Sequence, residues 1–307
     1  MTAITAHEVL AQIQAGQSLQ GAELSHINLQ GACLEQGDFS EAYLRRATLT
    51  NAVCKGADFS MATLILADLQ SISLEQAKLV HAVLTQSHLE QANLKGAQSS
   101  NAKFYGVFLE GADGSDAIFD EADFRTANGL RSQFKQASFI NAVFDQANFS
   151  QANFEAAVLT RSQWRQATLT ETSFAAANLE QAVFSEASLV NANLSEINGL
   201  SINCQQADLT TAGFRQAQLD WADFWNATLM QTDFQQASLF GATLKAANLT
   251  GANLAGADLR EANLEQTQLD QVCLDHCNVR GAVFTNATGL SSEQLHWLRQ
   301  QGGLNVG

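Results

Sequence analysis

A leucine or phenylalanine returns every fifth residue of this chain, in one register from Leu19 to Phe284. Of the 55 positions 19, 24, 29 and onward to 289, 46 are Leu or Phe. The exceptions are Cys54, Ser99, Gly114, Gly129, Trp164, Gly199, Cys204, Val279 and Gly289. Two residues earlier sits a small residue, and from Ala22 to Ala287 it is alanine at 40 of 54 positions. A fixed short period is the signature of a solenoid. Five is neither the two of a flat strand nor the 3.6 of a helix, on which such positions would scatter around the axis. The chain must therefore turn at a regular interval.

A typical unit is Ala67-Asp68-Leu69-Gln70-Ser71, and another is Ala257-Asp258-Leu259-Arg260-Glu261. The Ala and the central Leu or Phe point inward, and the Asp or Asn between them and the two residues after point to solvent. A narrow interior admits only a small side chain beside a bulky one, which accounts for the alanine column.

These A-[D/N]-[L/F]-x-x units resemble the pentapeptide-repeat family, and the resemblance covers residues 17 to 289. It implies an all-β fold, a right-handed, four-sided parallel β-helix with four units per turn. One pattern agrees with that period. When central residues are sorted by 20, the column 29, 49, 69 to 289 holds a single Phe, Phe149, and the other columns share the remaining fifteen. At about 4.8 Å per coil the array would be a rod of roughly 65 Å.

The chain contains no proline, as expected where nearly every backbone N–H bonds to the next coil. The expected organisation is an N-terminal helical cap over 1–16, one β-helix over 17–290 and a C-terminal helical cap over 291–307. Thr5-Ala6-His7-Glu8 and Ser291-Ser292-Glu293-Gln294 both have capping-box spacing. Val9, Leu10 and Ile13 share one side of the first helix; Leu295 and Leu298 share a face of the second, which Gly302 and Gly303 end. Within the array, Gly114, Gly129 and Gly199 interrupt the core, and bulges or kinks are expected there, with Leu130 and Leu200 swinging inward. With no export signal and no long apolar run in the sequence, the expected location is the cytoplasm.

No catalytic set is apparent, and the expectation is a protein that is not an enzyme and takes no cofactor or metal. Cys33, Cys54, Cys204, Cys273 and Cys277 are scattered, and Cys54 and Cys204 occupy core positions. In Cys273-Leu274-Asp275-His276-Cys277 the side chains alternate in direction, which denies four convergent zinc ligands. The turn glycines, such as Gly56, Gly96, Gly251 and Gly256, close units and make no phosphate loop.

Function must then reside on the surface. The net charge is −15; divided among four sides, three are acidic and one is balanced, the latter with Arg125, Asp145 and Arg165 expected to pair as a ladder. Such a field repels nucleic acid and anionic membrane and favours basic protein surfaces. The densest acidic group is Glu110, Asp113, Asp116, Asp120, Glu121 and Asp123. Outward aromatics form a second candidate, Trp221, Trp225 and Phe240, placed near one corner; Tyr105 with Phe108, and Tyr43 with Met61, Ile65 and Leu66, are smaller apolar groups. Contiguous exposed apolar residues often mark interaction sites. The reading is a protein-binding scaffold or regulator, monomeric or dimerised end to end, with an unidentified partner. The family resemblance implies a bacterial and especially a cyanobacterial setting. The alternative it implies is a DNA mimic that binds or protects DNA gyrase; the absence of an inserted loop in the register, and only 15% charged residues, count against that.

Overall fold

The computed structural model describes residues 4–307. The chain forms two compact units, Met1–Val158 and Leu159–Gly307, and the same local geometry builds both. Each five-residue unit pairs through one residue, the Asp/Asn position, with the residue twenty further on, in parallel: Asp38 with Asp58 and Asp58 with Lys78 in the first unit, Asp208 with Thr228 and Thr228 with Asn248 in the second. A turn every five residues and pairing every twenty give a coil with four faces. Each face is too short for an extended strand, so the walls are ladders of single bridges.

Three hydrogen bonds recur. The central residue donates to the coil above, as Phe59 N–H does to the Lys78 carbonyl at 2.7 Å. The Asp/Asn position donates to the coil below, as Asp58 N–H does to the Gly37 carbonyl at 2.9 Å. At the corner, the alanine donates back across the turn, as Ala57 N–H does to the Cys54 carbonyl at 3.1 Å. The third residue of these turns has positive φ, the requirement of a type II turn. Non-glycine residues hold it repeatedly, with Gln36 at 58°, Gln76 at 56° and Gln216 at 56°. A left-handed residue costs roughly 1–2 kcal/mol, offset here because the same corner donates up the ladder, as Gln76 N–H does to the Lys95 carbonyl at 2.8 Å.

The Asp/Asn column has a structural cause of its own. Its side chain accepts from the backbone N–H two residues on, as Asp58 does from Ser60 at 2.9 Å and Asn248 from Thr250 at 3.0 Å. Asp and Asn are short enough to make this local bond, and it fastens the turn.

Inward positions are buried as the register requires, except near the ends of the array, where Ala22, Ile27, Ala32 and Ala287 are half-buried and Gly289 is exposed. In the first unit, phenylalanines stack coil on coil, with Phe104–Phe124 at 4.6 Å, Phe124–Phe144 at 4.9 Å and Phe119–Phe139 at 4.9 Å between ring centroids. In the second, Trp164 occupies a central position and its indole N–H donates to Ser162 Oγ at 2.8 Å. Ser162, in the alanine column, passes the bond on to the Leu159 carbonyl at 2.7 Å. Buried serines and threonines there satisfy themselves the same way, as Ser132 does on the Gly129 carbonyl and Thr267 on the Leu264 carbonyl.

The bulges expected at the core glycines are absent. Gly129 N–H donates to the Asn148 carbonyl at 2.8 Å and Gly199 N–H to the Gln218 carbonyl at 2.7 Å, in register. Leu130 stays at a half-buried corner position and Leu200 is exposed. The missing side chain is replaced from the coil above: a Cβ on Gly114 would lie 2.6 Å from the Phe134 ring, and one on Gly199 would lie 2.9 Å from Leu219. At Gly129 the Phe149 ring fills the space.

Both helices form where their capping boxes lie. Helix α1 spans Ala6–Gln14 and helix α2 spans Ser292–Gln300. Thr5 Oγ1 accepts from Glu8 N–H at 3.3 Å, and Ser291 Oγ accepts from Gln294 N–H at 3.2 Å. Val9 and Leu298 are fully buried. After α2 the chain returns to the ladder: Leu304 pairs in parallel with Val283. Its N–H donates to the Ala282 carbonyl at 2.8 Å and its carbonyl accepts from Phe284 at 2.9 Å. Neither helix is long and apolar enough to cross a membrane.

Candidate functional site

The six acids of the coil 110–123 are mostly engaged with neighbours. Glu110 pairs with Arg131. Asp113 pairs with Lys95 at 2.9 Å and accepts from Ser115 N–H and Oγ at 3.0 and 2.7 Å. Burial alone would raise its pKa, but the Ser115 and Lys95 bonds outweigh burial and hold it below the usual carboxylate range. Asp120 accepts from Ser138 Oγ at 2.5 Å and Ile140 N–H at 2.9 Å. Asp123 is buried at 8% exposure. Asp116 and Glu121 are the two that stand exposed, both on turn residues of positive φ.

Arg125, expected to form a ladder with Asp145, feels the Asp145 charge but makes its hydrogen bonds elsewhere. It grips Asp123 on its own coil, Nε to Oδ1 at 2.8 Å and Nη2 to Oδ2 at 2.7 Å. Two parallel N–H···O bonds of this kind make the guanidinium–carboxylate pair bidentate, the stronger form of such a contact. Burial again pushes the Asp123 pKa up, and the Arg125 bonds overturn it to a net lowering. The guanidinium also lies 5.8 Å from the Tyr105 ring centre. Phe108 is stacked on His88 at 4.7 Å, so these two aromatics are partly covered.

The aromatic group is different. Trp221 meets Phe240 edge-on, ring centroids 5.2 Å apart and planes at 83°. Gly241, on the coil above Trp221, leaves room for the indole: a Cβ there would be 2.5 Å from Cζ3. Arg260, one coil further, holds its guanidinium 5.5 Å from the Phe240 ring centre. It is itself fixed by Asp258, Nε to Oδ1 at 2.9 Å and Nη2 to Oδ2 at 2.6 Å. The result is one column on one corner, Trp221 below, Phe240 and Gly241 beside and above, Arg260 on top. Trp221 remains 56% exposed and Phe240 is half-buried.

Trp225 belongs to the next corner of the same coil, four residues on, rather than to the same corner. It is 42% exposed. The face between the tryptophans carries Asp223, which accepts from Trp225 N–H at 2.9 Å and from Gln205 Nε2 at 2.6 Å. The two indoles therefore flank one polar face. Sequence reasoning missed Gly241 and Arg260; both could have been found by reading positions 20 residues from Phe240 and Trp221. Elsewhere, Cys277 is buried with its thiol on the Leu254 carbonyl at 2.7 Å, and burial pushes its pKa up to about 12. Among the described residues, no three His, Cys, Asp or Glu side chains gather as a metal site would require.

The family model of pentapeptide repeats matches residues 28–64, 38–76, 67–98, 100–128, 132–174, 165–198, 201–236, 217–254, 237–275 and 247–286. The chain belongs to the pentapeptide-repeat family. Among solved structures it is similar to HetL from the cyanobacterium Nostoc sp. strain PCC 7120, described as involved in heterocyst differentiation regulation. Identity is 25% over 94% of this chain and 100% of that one, with a TM-score of 0.33. A pentapeptide repeat protein of the Arabidopsis thaliana thylakoid lumen is 31% identical over 32% of this chain and 79% of that one, TM-score 0.26. QnrB1, a plasmid-mediated fluoroquinolone resistance protein, is 18% identical over 60% of this chain and 93% of that one, TM-score 0.31. The search of curated proteins found no match.

Proposed function

We propose that this protein is a non-enzymatic interaction scaffold, and that it holds a protein partner at the Trp221–Phe240 corner, with Trp225 as the second contact across the Asp223 face. The observation that supports this best is the exposure of Trp221 on a seat built for it: Gly241 on the coil above with no side chain to displace the ring, Phe240 at its edge, and Arg260 pinned by Asp258 against Phe240. A rigid aromatic anchor loses little conformational entropy on binding, which is why tryptophan dominates interface hot spots. The acidic coil has less to offer a basic or DNA-binding partner, since Glu110, Asp113 and Asp123 already have cations and Asp120 has donors. We place the protein in the cytoplasm on the same reading.

Affinity capture from the native cell with the wild-type chain and a Trp221→Ala/Trp225→Ala variant tests the proposal. The expected result is a partner that the wild type retains and the variant loses, at a cost of roughly 2 kcal/mol or more and with little dependence on salt. Undiminished capture by a correctly folded variant would refute it.

A further inference from the structure

The last coil of the second unit leaves one stretch of its upper edge open. One coil below, Leu254 and Gly256 donate their N–H groups to the Cys273 and Asp275 carbonyls at 2.9 and 2.8 Å, and the Ala252 carbonyl accepts from Cys273 at 3.0 Å. The corresponding groups on the last coil are the N–H of Leu274, the N–H of His276 and the carbonyl of Val272. The chain turns into α2 instead of supplying a rung. Gln294 Nε2 stands in for the missing donor, reaching the Val272 carbonyl at 3.0 Å. Among the described residues, Leu274 and His276 N–H have no acceptor.

Above them opens a cleft of about 390 Å³, lined by Val272–His276 and by Glu293, Gln294 and Trp297 of α2. The inward side chains beneath it are less covered than those one coil lower. Val272, Leu274 and Cys277 are 5, 5 and 7% exposed, against 0, 0 and 1% for Ala252, Leu254 and Ala257. The charged residues of the lining are Asp275 and Glu293, with no lysine or arginine. Two faces further along the same coil, the tail at Leu304 does add a parallel rung on Val283. This end of the coil therefore accepts an extended segment where one is provided.

We propose that the cleft binds an extended, cationic peptide segment of a partner protein by edge addition. Unpaired sheet edges bind strands through main-chain hydrogen bonds, with alternate side chains read by pockets. The ladder register dictates the segment. A small residue sits over Val272 and a bulky apolar one over Leu274 beneath Trp297. The residues over Cys273 and Asp275 point outward, and their carbonyls accept from Leu274 and His276. Basic side chains at those two positions face Asp275 and Glu293. The motif is small–basic–bulky apolar–basic, and this site is independent of the aromatic corner.

The test uses the full-length, isotope-labelled chain and the blocked tetrapeptide acetyl-AKLK-amide, read by nuclear magnetic resonance. In the free protein, the Leu274 and His276 amides should exchange with solvent at least about a hundredfold faster than those of Leu254 and Gly256. Added peptide should shift both amide resonances downfield and slow their exchange, while acetyl-AKNK-amide should not. Asp275→Asn with Glu293→Gln should weaken binding about tenfold at low salt. The proposal falls if both amides are already protected in the free chain, or if AKLK leaves them unmoved. It falls equally if AKNK acts as well as AKLK. Concentration-dependent shifts of the same amides without peptide would assign the edge to a second copy of this chain and overturn it too.

Discussion

Gly129, in the first unit, and Gly241, in the second, solve one steric problem on opposite sides of the wall. Each lacks a Cβ where an aromatic ring from an adjacent coil must pass. At Gly129 the ring is Phe149, from the coil above, and it is fully buried. At Gly241 the ring is Trp221, from the coil below, and it keeps 56% of its surface in water. Inside, burial of the ring accounts for the missing side chain, since a gap in a thin core would otherwise stay empty. Outside, the fold gains little from so exposed a ring. The difference separates a ring that fills the core from one that the fold leaves in water.

The interior half of the comparison should show the larger effects. Phe149→Ala is expected to destabilise by about 3–5 kcal/mol, because the Gly129 gap beneath it cannot close. Gly129→Leu, which restores the common residue, should also destabilise, by about 1–3 kcal/mol, through overpacking against the same ring. Combining Gly129→Leu with Phe149→Leu should recover part of both losses, with a coupling of about 1 kcal/mol or more in a double-mutant cycle. Additive losses in chemical denaturation would show that the two positions do not share one space.

Outside, Gly241→Ala meets two obstacles. Its φ is +63°, and its new Cβ would press on the indole. The expected cost is about 1 kcal/mol, with a red shift of tryptophan emission as Trp221 is lifted from its seat. Trp221→Ala itself should change stability by no more than about 0.5 kcal/mol, while removing partner binding. A stability loss as large as that of Phe149→Ala would make Trp221 a structural residue and erase the contrast.

The fold was legible because a five-residue register leaves no freedom: slipping by one residue turns Leu and Phe out to water. The capping boxes at Thr5 and Ser291 were legible for a similar reason, each being a local bond between neighbours. The core glycines mislead when each unit is taken alone, because the residue that fills each gap belongs to the next coil. Phe149 is the single phenylalanine of its column and stands 20 residues after Gly129; Phe134 and Leu219 stand likewise after Gly114 and Gly199. Read as vertical pairs, the gaps predict filling rather than bulging. The Trp221 seat is hidden for the same reason, since Gly241 taken within its own unit looks like any turn glycine. The return of Leu304 onto Val283 could not be read at all, because α2 intervenes and breaks the count.

Asp123 offers the smallest and most informative test, because it lies on the outer wall yet behaves like an interior residue. Its side chain is 12% exposed and carries a bidentate Arg125. Burial raises its pKa, the Arg125 bonds lower it further than burial raises it, and the net shift is downward. A carboxyl whose folded pKa lies below its unfolded value of about 3.9 contributes stability above that value. The contribution is lost as pH falls through the folded pKa, where the native state must also take up the proton. Asp123→Asn should therefore be less stable than wild type at neutral pH. Its loss of stability between about pH 5 and pH 2 should be shallower by up to one proton's worth of slope. Arg125→Leu, which removes the bonds that hold the Asp123 carboxyl down, should flatten the same limb. If neither substitution alters the acid limb, Asp123 is a surface charge like any other, and the acidic coil returns as a rival to the aromatic corner.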